Sequence, residues 1–255
     1  MRKPLMAGNW KMHKTISESL SFVTEFKTAV ADVKDVDILI CPTLVSVNAV
    51  YNEVKKSNIK VGAQNIFWEE KGAFTGEVSA SMLKDAGCSY VLIGHSERRQ
   101  YFGETNETVN KKTKAALSNG IIPIVCVGET LKDREENTTF EVIEKQVKEA
   151  LLGFSQEEFS KLVIAYEPVW AIGTGKTATP QQAQEVHAFI RKVCFQICKN
   201  LADTIRILYG GSVKPDNVSE LMKQPDIDGG LVGGASLEVE SFVKLVNYSK
   251  NIHQI

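Results

Sequence analysis

No uninterrupted apolar run in this chain reaches the roughly 20 residues that a membrane-crossing helix needs, so no membrane partner is expected. The opening Met1-Arg2-Lys3-Pro4 has no apolar core of signal-peptide type and leads straight into folded-looking sequence. An excess of one charge is also missing. Thirty Lys and Arg stand against 31 Asp and Glu, for a net charge of −1, with no long like-charge block. A nucleic-acid partner ordinarily leaves a basic surplus, so none is expected. Any attraction for an anionic ligand must then come from local groups. Cysteine is sparse and unpatterned. The five, Cys41, Cys88, Cys126, Cys194 and Cys198, are odd in number, and the first three lie in or beside apolar runs, where Cys acts as a small buried hydrophobe. Cys194 and Cys198 are one helical turn apart, with no second pair to complete a zinc site. This usage fits a reduced, cytoplasmic protein.

Cofactor signatures are absent too. Gly173-Thr174-Gly175-Lys176-Thr177 has the ending of a P-loop, but the required first glycine falls on Trp170. No glycine-rich dinucleotide fingerprint follows a strand with an acidic partner, and no His-Glu-x-x-His occurs. Neither a metal nor any other cofactor is expected.

What is present is a globular chain of 255 residues, 43% hydrophobic and 24% charged, with enough apolar mass for a sizeable core. Short apolar, β-branched runs recur at Leu5–Ala7, Val36–Cys41, Ile59–Ala63, Tyr90–Ile93, Ile121–Val127, Leu162–Ala165, Ile205–Tyr209 and Gly230–Val232. They do not alternate strictly, as expected of parallel strands buried on both faces. Helical signals lie between them. Thr15 with Glu18 forms a capping-box pattern, followed by Ile16, Leu20, Val23 and Phe26 at helical spacing. Thr179-Pro180 caps a helix carrying Val186, Ile190, Val193 and Ile197, and Phe140, Ile143, Val147 and Leu151 mark another. Gly87 and Gly120 sit where C-terminal caps belong, and Lys111, Lys112 and Lys114 read as a solvated helix face. About eight strand–helix units with no dividing linker favour an α/β fold, a closed (β/α)8 barrel forming one catalytic domain over 1–255. A doubly wound open sheet is the alternative.

In such barrels the chemistry lies at the C-terminal ends of the strands. There the first strand delivers Asn9-Trp10-Lys11, the fourth His95-Ser96-Glu97 and the sixth Glu167-Pro168. The seventh ends in Gly210-Gly211-Ser212 and the eighth in Gly233-Gly234. Singly, each is unremarkable: a loop lysine, a histidine bonded to backbone, a capping carboxylate, turn glycines. Together, a cation, an imidazole, a carboxylate and two glycine-rich turns converge on one barrel mouth. Ser96 reads as the N-cap of a short helix that begins beside His95.

The stretches Asn9-Trp10-Lys11-Met12, Gly94-His95-Ser96-Glu97-Arg98-Arg99, Ala165-Tyr166-Glu167-Pro168-Val169-Trp170, Tyr209-Gly210-Gly211-Ser212-Val213 and Leu231-Val232-Gly233-Gly234-Ala235 resemble the triosephosphate isomerases, in order and over essentially the whole chain. The resemblance implies a TIM barrel that interconverts dihydroxyacetone phosphate and D-glyceraldehyde 3-phosphate in glycolysis and gluconeogenesis. It makes Glu167 the base, His95 the electrophile, Lys11 and Asn9 electrostatic support, and Glu97 their partner. Pro168, Val169, Trp170, Ala171, Ile172, Gly173, Thr174, Gly175 and Lys176 would form a closing lid. Gly173, Ser212, Gly233 and Gly234 would cradle the phosphate. His13 stands where the family more often has asparagine. Two other readings remain open: an aldolase with a Schiff base on Lys11, and a barrel kept as a non-catalytic scaffold. The loop Ile66–Val78 carries Phe67, Trp68 and Phe74, three aromatics that are hard to bury locally. The resemblance implies a homodimer in which Phe74, Thr75 and Gly76 enter beside the partner's active site.

Overall fold

The computed structural model describes residues 2–172 and 177–249. Eight parallel strands, β1 (Leu5–Asn9), β2 (Asp37–Cys41), β3 (Ile59–Ala63), β4 (Tyr90–Ile93), β5 (Ile122–Val127), β6 (Val163–Tyr166), β7 (Arg206–Tyr209) and β8 (Gly229–Val232), close into a barrel in chain order. Closure sets Leu5 opposite Gly229 and Gly8 opposite Val232. A side chain at Gly229 would drive its Cβ to 2.0 Å from the Leu5 carbonyl oxygen, so the last strand can meet the first only as glycine. The closed barrel excludes the open-sheet alternative.

Successive strand residues serve two cores. Leu5, Ala7, Leu39, Cys41, Leu92 and Leu208 belong to the cluster that fills the barrel. Their neighbours Met6, Ile38, Ile40, Val91 and Ile207 pack in the second core with helix residues such as Val23, Phe26 and Ile190. Both destinations are apolar, which is why the strands read as continuous apolar runs. Each such large side chain stabilises the fold by roughly 1.5–3 kcal/mol through burial. All five cysteines are free and buried.

The caps form as the sequence dictates. Thr15 closes a capping box with Glu18 at the head of helix Ile16–Ala29. Thr179 does the same with Gln182, ahead of Pro180 in helix Pro180–Cys198. Gly87 and Gly120 follow helix ends at positive φ. Other readings need correction. The first strand runs on to Asn9 and the sixth to Tyr166. Ile16 faces outward, while Ser19 is buried in its helix. Helix Leu44–Val54 escapes the sequence pattern because Val45, Val47, Val50 and Val54 are β-branched and read as strand. Lys112 is not on a solvated face: it is 4% exposed, pairs with Glu104 and donates to Asn65 Oδ1 at 2.7 Å. Among the described residues no helix is long and apolar enough to cross a membrane.

Candidate active site

The C-terminal ends of β1, β4, β6, β7 and β8 open into one cavity of about 780 Å³. Asn9, Lys11, His95, Glu97, Glu167, Ser212, Gly233 and Gly234 all line it. The sequence places these residues up to 225 positions apart, and barrel closure brings them to one mouth. Among the described residues no group of three His, Cys, Asp or Glu side chains is arranged to hold a metal ion.

Lys11 reaches this mouth through an unusual backbone. Its φ is +53°, the left-handed region, which costs a non-glycine residue about 1–3 kcal/mol. Three hydrogen bonds hold it there. Its N–H donates to Asn9 Oδ1 at 3.0 Å, and its carbonyl accepts from Gln64 Nε2 at 2.8 Å. The same Gln64 amide donates to the Cys41 carbonyl at 2.9 Å, tying the turn to the end of β2. The ammonium then points to Glu97, 2.6 Å from Oε1. Gln64 is a positioning group that the sequence did not single out.

His95 and Glu167 form the buried centre. Helix Ser96–Tyr101 begins directly after His95, and His95 itself is the N-cap rather than Ser96: its Nδ1 accepts from the Glu97 N–H at 3.2 Å. Nδ1 therefore carries no proton in the neutral ring, and Nε2–H faces Glu167 Oε1 at 2.8 Å. Glu167, 2% exposed, also accepts from the Ser96 N–H at 3.0 Å and the Ser96 hydroxyl at 3.3 Å. Burial raises the Glu167 pKa, but His95, the Ser96 N–H and Lys11 outweigh it and hold the carboxyl below its usual value of 4.5. Burial lowers the His95 pKa, and here the adjacent Glu167 carboxylate outweighs that and raises it. A carboxylate poised as a base, a donor fixed in tautomer and a cation thus share one cavity. That set can move a proton to and from carbon beside a carbonyl.

Comparison with known proteins is consistent across sequence and structure. The family profile described as triosephosphate isomerase matches residues 4–249. The triosephosphate isomerase of Endomicrobium trichonymphae is 68% identical over 250 residues, covering 98% of this chain and 100% of that one. That of Pelobacter propionicus is 59% identical, covering 97% and 99%. The crystal structure of triosephosphate isomerase from Bartonella henselae superposes with a TM-score of 0.89 at 37% identity, covering 97% of this chain and 99% of that one. The chain belongs to the triosephosphate isomerase family. Its members are isomerases, and this chain is an enzyme of that kind.

In this triosephosphate isomerase fold, glycines make the room around Glu167. A Cβ at Gly128 would lie 1.8 Å from the Glu167 carbonyl oxygen, and one at Gly210 would lie 2.9 Å from Glu167 Cγ. Gly128 went unnoticed in the sequence, although it directly follows β5 as Gly210 follows β7. At Gly234 an added Cβ would meet nothing within 4 Å, so its absence leaves open cavity beside Lys11 and Gly233.

The first part of the expected lid is anchored. Pro168 is buried, and Val169–Ala171 form a 3-10 turn. The Val169 N–H donates to the Glu129 carbonyl at 3.1 Å. The Trp170 indole donates to Glu129 Oε1 at 2.8 Å, under the Arg134 guanidinium at 4.7 Å. Glu129 also accepts from Tyr166 Oη at 3.0 Å. Ile172 lines the mouth cavity. Gly173, Thr174, Gly175 and Lys176 lie outside the described residues. Glu129 was missed in the sequence, though it lies two residues past the apolar run Ile121–Val127 as Glu167 lies two past Leu162–Ala165.

The loop after β3 stacks Phe67 on Trp68 at 4.0 Å and sets it at a tilt against Phe74 at 4.7 Å, so its aromatics cover one another. Phe74 remains 42% exposed, and Thr75 and Gly76 are exposed at the tip. His13 is exposed and does not line the mouth cavity.

Proposed function

We propose that this chain, working as one catalytic domain over 1–255, interconverts dihydroxyacetone phosphate and D-glyceraldehyde 3-phosphate by proton transfer through an enediolate, in glycolysis and gluconeogenesis. The observation that carries the reading is the Glu167–His95 contact of 2.8 Å at the mouth that Lys11 also lines. Glu167 leaves Ser96 and His95, turns to the carbon beside the substrate carbonyl, takes a proton and returns it to the neighbouring carbon. Charge develops on the carbonyl oxygen as the proton leaves. Nε2–H of His95 and the Lys11 ammonium, with Asn9 beside them, stabilise that oxygen; one such fixed donor is worth about 3–4 kcal/mol in comparable sites. Once Glu167 has moved, the main influence raising the His95 pKa is gone, and burial, Lys11 and the helix N-terminus favour the neutral ring. Glu97 orients Lys11 and, through its N–H, the imidazole.

The phosphate sits across the cavity against Ser212, Gly233 and Gly234, where backbone N–H groups approach it unobstructed, with Gly173 contributing from the lid. Closure of Pro168–Lys176 excludes water, which protects an intermediate that can otherwise lose phosphate. Against the aldolase reading, the Lys11 ammonium is held by Glu97 at 2.6 Å and offers no free lone pair to a carbonyl. Against the scaffold reading, base, imidazole and cation all line one cavity. No cofactor enters the chemistry.

The working unit in this reading is a homodimer. A second cavity of about 270 Å³ beside Lys11 is lined by Met12, Leu44, Gln64, Gly76 and Arg98, and Met12 is 92% exposed. It suits an inserted loop tip such as the partner's Phe74, Thr75 and Gly76. Buried free thiols support a reducing, cytoplasmic setting. The decisive experiment is a coupled isomerisation assay on the purified protein, run in both directions with and without a metal chelator. Turnover both ways, unaffected by chelator, is expected. No turnover with either triose phosphate overturns the assignment.

A further inference from the structure

Glu167 borders a second cavity on its far side. This rear cavity, of about 320 Å³, is lined by Ser96, Arg99, Gln100, Thr130, Gln146 and Val169, among others. Among the described residues, Glu167 is the one residue that lines both it and the mouth. The carboxylate is buried, whereas Gln100 and Thr130 at the outer end are exposed. The rear cavity thus leads from the carboxylate to the surface by a path that avoids the mouth.

Its dimensions admit water, although much of its wall is apolar. A water needs roughly 10–15 Å³ of such space and two to four polar partners, so this volume holds several. Gln100 and Asp133 bring polar atoms to the wall, whereas the Gln146 amide is bonded at both ends to Gly128 and the Thr130 hydroxyl to Asp133. At the inner end, Ser96 touches both sides: it lines the rear cavity, and its hydroxyl donates to Glu167 Oε1 at 3.3 Å.

We propose that the rear cavity is a solvent port for the catalytic carboxylate, through which a proton taken from substrate exchanges with bulk water without passing the mouth. The inference rests on Glu167 being the base. After abstraction, Glu167 carries the substrate's proton. Returning against Ser96, it passes that proton to Ser96 Oγ as the hydroxyl hydrogen moves to a rear water. The Ser96 hydroxyl then exchanges its hydrogen with the rear water, and the reverse shift delivers that solvent hydrogen to Glu167. One O–H bond breaks and one forms at each oxygen, with no net charge and no other reactant. Label from solvent then reaches the substrate carbon while the mouth stays closed.

The test uses the full-length protein turning over glyceraldehyde 3-phosphate in D2O, with NMR giving the ratio of deuterated to undeuterated dihydroxyacetone phosphate. Gln100→Phe fills the outer end and Gln100→Ala widens it, and Gln100 does not line the mouth cavity. With kcat near that of the parent, the deuterated share should fall roughly twofold or more in Gln100→Phe and rise in Gln100→Ala. An unchanged ratio in a folded, active Gln100→Phe overturns the port and assigns exchange to the mouth. If Gln100→Phe does not fold, Gln100→Ala decides: a higher ratio supports the port, and an unchanged one overturns it. Failure of the catalytic reading looks different, because the parent enzyme would then show neither isomerisation nor label.

Discussion

Replacing Glu167 by Gln separates the chemistry from the architecture. The amide keeps the side-chain volume between Gly128 and Gly210, so the backbone has no reason to shift. What changes is hydrogen bonding and charge. Glu167 now accepts from three donors, the Ser96 N–H, the Ser96 hydroxyl and His95 Nε2–H. Glutamine has one accepting oxygen, so either Ser96 N–H or His95 Nε2–H meets an NH2 group. That conflict leaves a buried donor unmet and costs roughly 1–3 kcal/mol of stability, partly relieved if the ring changes tautomer. The catalytic loss is separate and larger, because no carboxylate remains to take the proton. We expect kcat to fall by about 10²–10⁴-fold, or roughly 3–5 kcal/mol in the barrier, with affinity for a phosphate-bearing substrate analogue little changed. Coupled kinetics and titration calorimetry read the two effects independently. A folded Glu167→Gln enzyme with kcat within about tenfold of the parent would remove Glu167 from the role of base.

Other expectations follow from the same geometry. Borohydride treatment in the presence of dihydroxyacetone phosphate should leave Lys11 unmodified by mass spectrometry, and a stable adduct there would move the protein to the aldolase reading. Thr75→Arg should give a folded monomer of greatly reduced activity by sedimentation and kinetics; a fully active monomer would break the link between dimer and site, and an intact dimer would misplace Thr75. Gly128→Ala forces the Glu167 backbone to move, and a displacement near 1 Å costs about 10²-fold in rate, so a variant with parental kcat would show that the placement tolerates it. Glu104→Gln leaves Lys112 and Arg98 without their carboxylate and should cost about 3–5 kcal/mol in denaturant unfolding. Burial raises the Glu104 pKa, but Lys112 and Arg98 outweigh it and lower it below 4.5. Its stabilisation is therefore complete above that value and is lost as pH falls through the lower folded one. The variant's stability deficit should shrink at acid pH, and a deficit independent of pH would contradict this.

Much of the fold is legible in the chain because each strand is buried on both faces, and such runs stand out whatever their tertiary partners. The mouth is legible for a related reason: strand ends are where reactive side chains must be, so Lys11, His95 and Glu167 declare themselves by position. The supports are harder to see. Lys112 lies one helical turn from buried Val109 and from buried Ala116, a sign that it faces inward, but its neighbours Lys111 and Lys114 mask it and its counter-ion Glu104 lies outside the helix. The imidazole of His95 occupies the capping role that the adjacent serine hydroxyl promised, because its Nδ1 reaches the Glu97 N–H. Gly128 matters only through an atom of Glu167, a contact between strands that no local pattern encodes. Ile16 faces outward although its spacing matches the core, and a single exposed apolar side chain is ordinary on a folded surface.

If one carboxylate on one face of the substrate moves a proton between adjacent carbons, the label position in dihydroxyacetone phosphate recovered after turnover in D2O reveals it. A single base must deliver deuterium to one of the two prochiral positions on C1 and leave the other as hydrogen. Stereospecific label is expected from the parent enzyme, with none formed by Glu167→Gln on the same timescale. Deuterium at both C1 positions, or stereospecific label formed as fast by Glu167→Gln as by the parent, would mean that Glu167 is not the one group acting there.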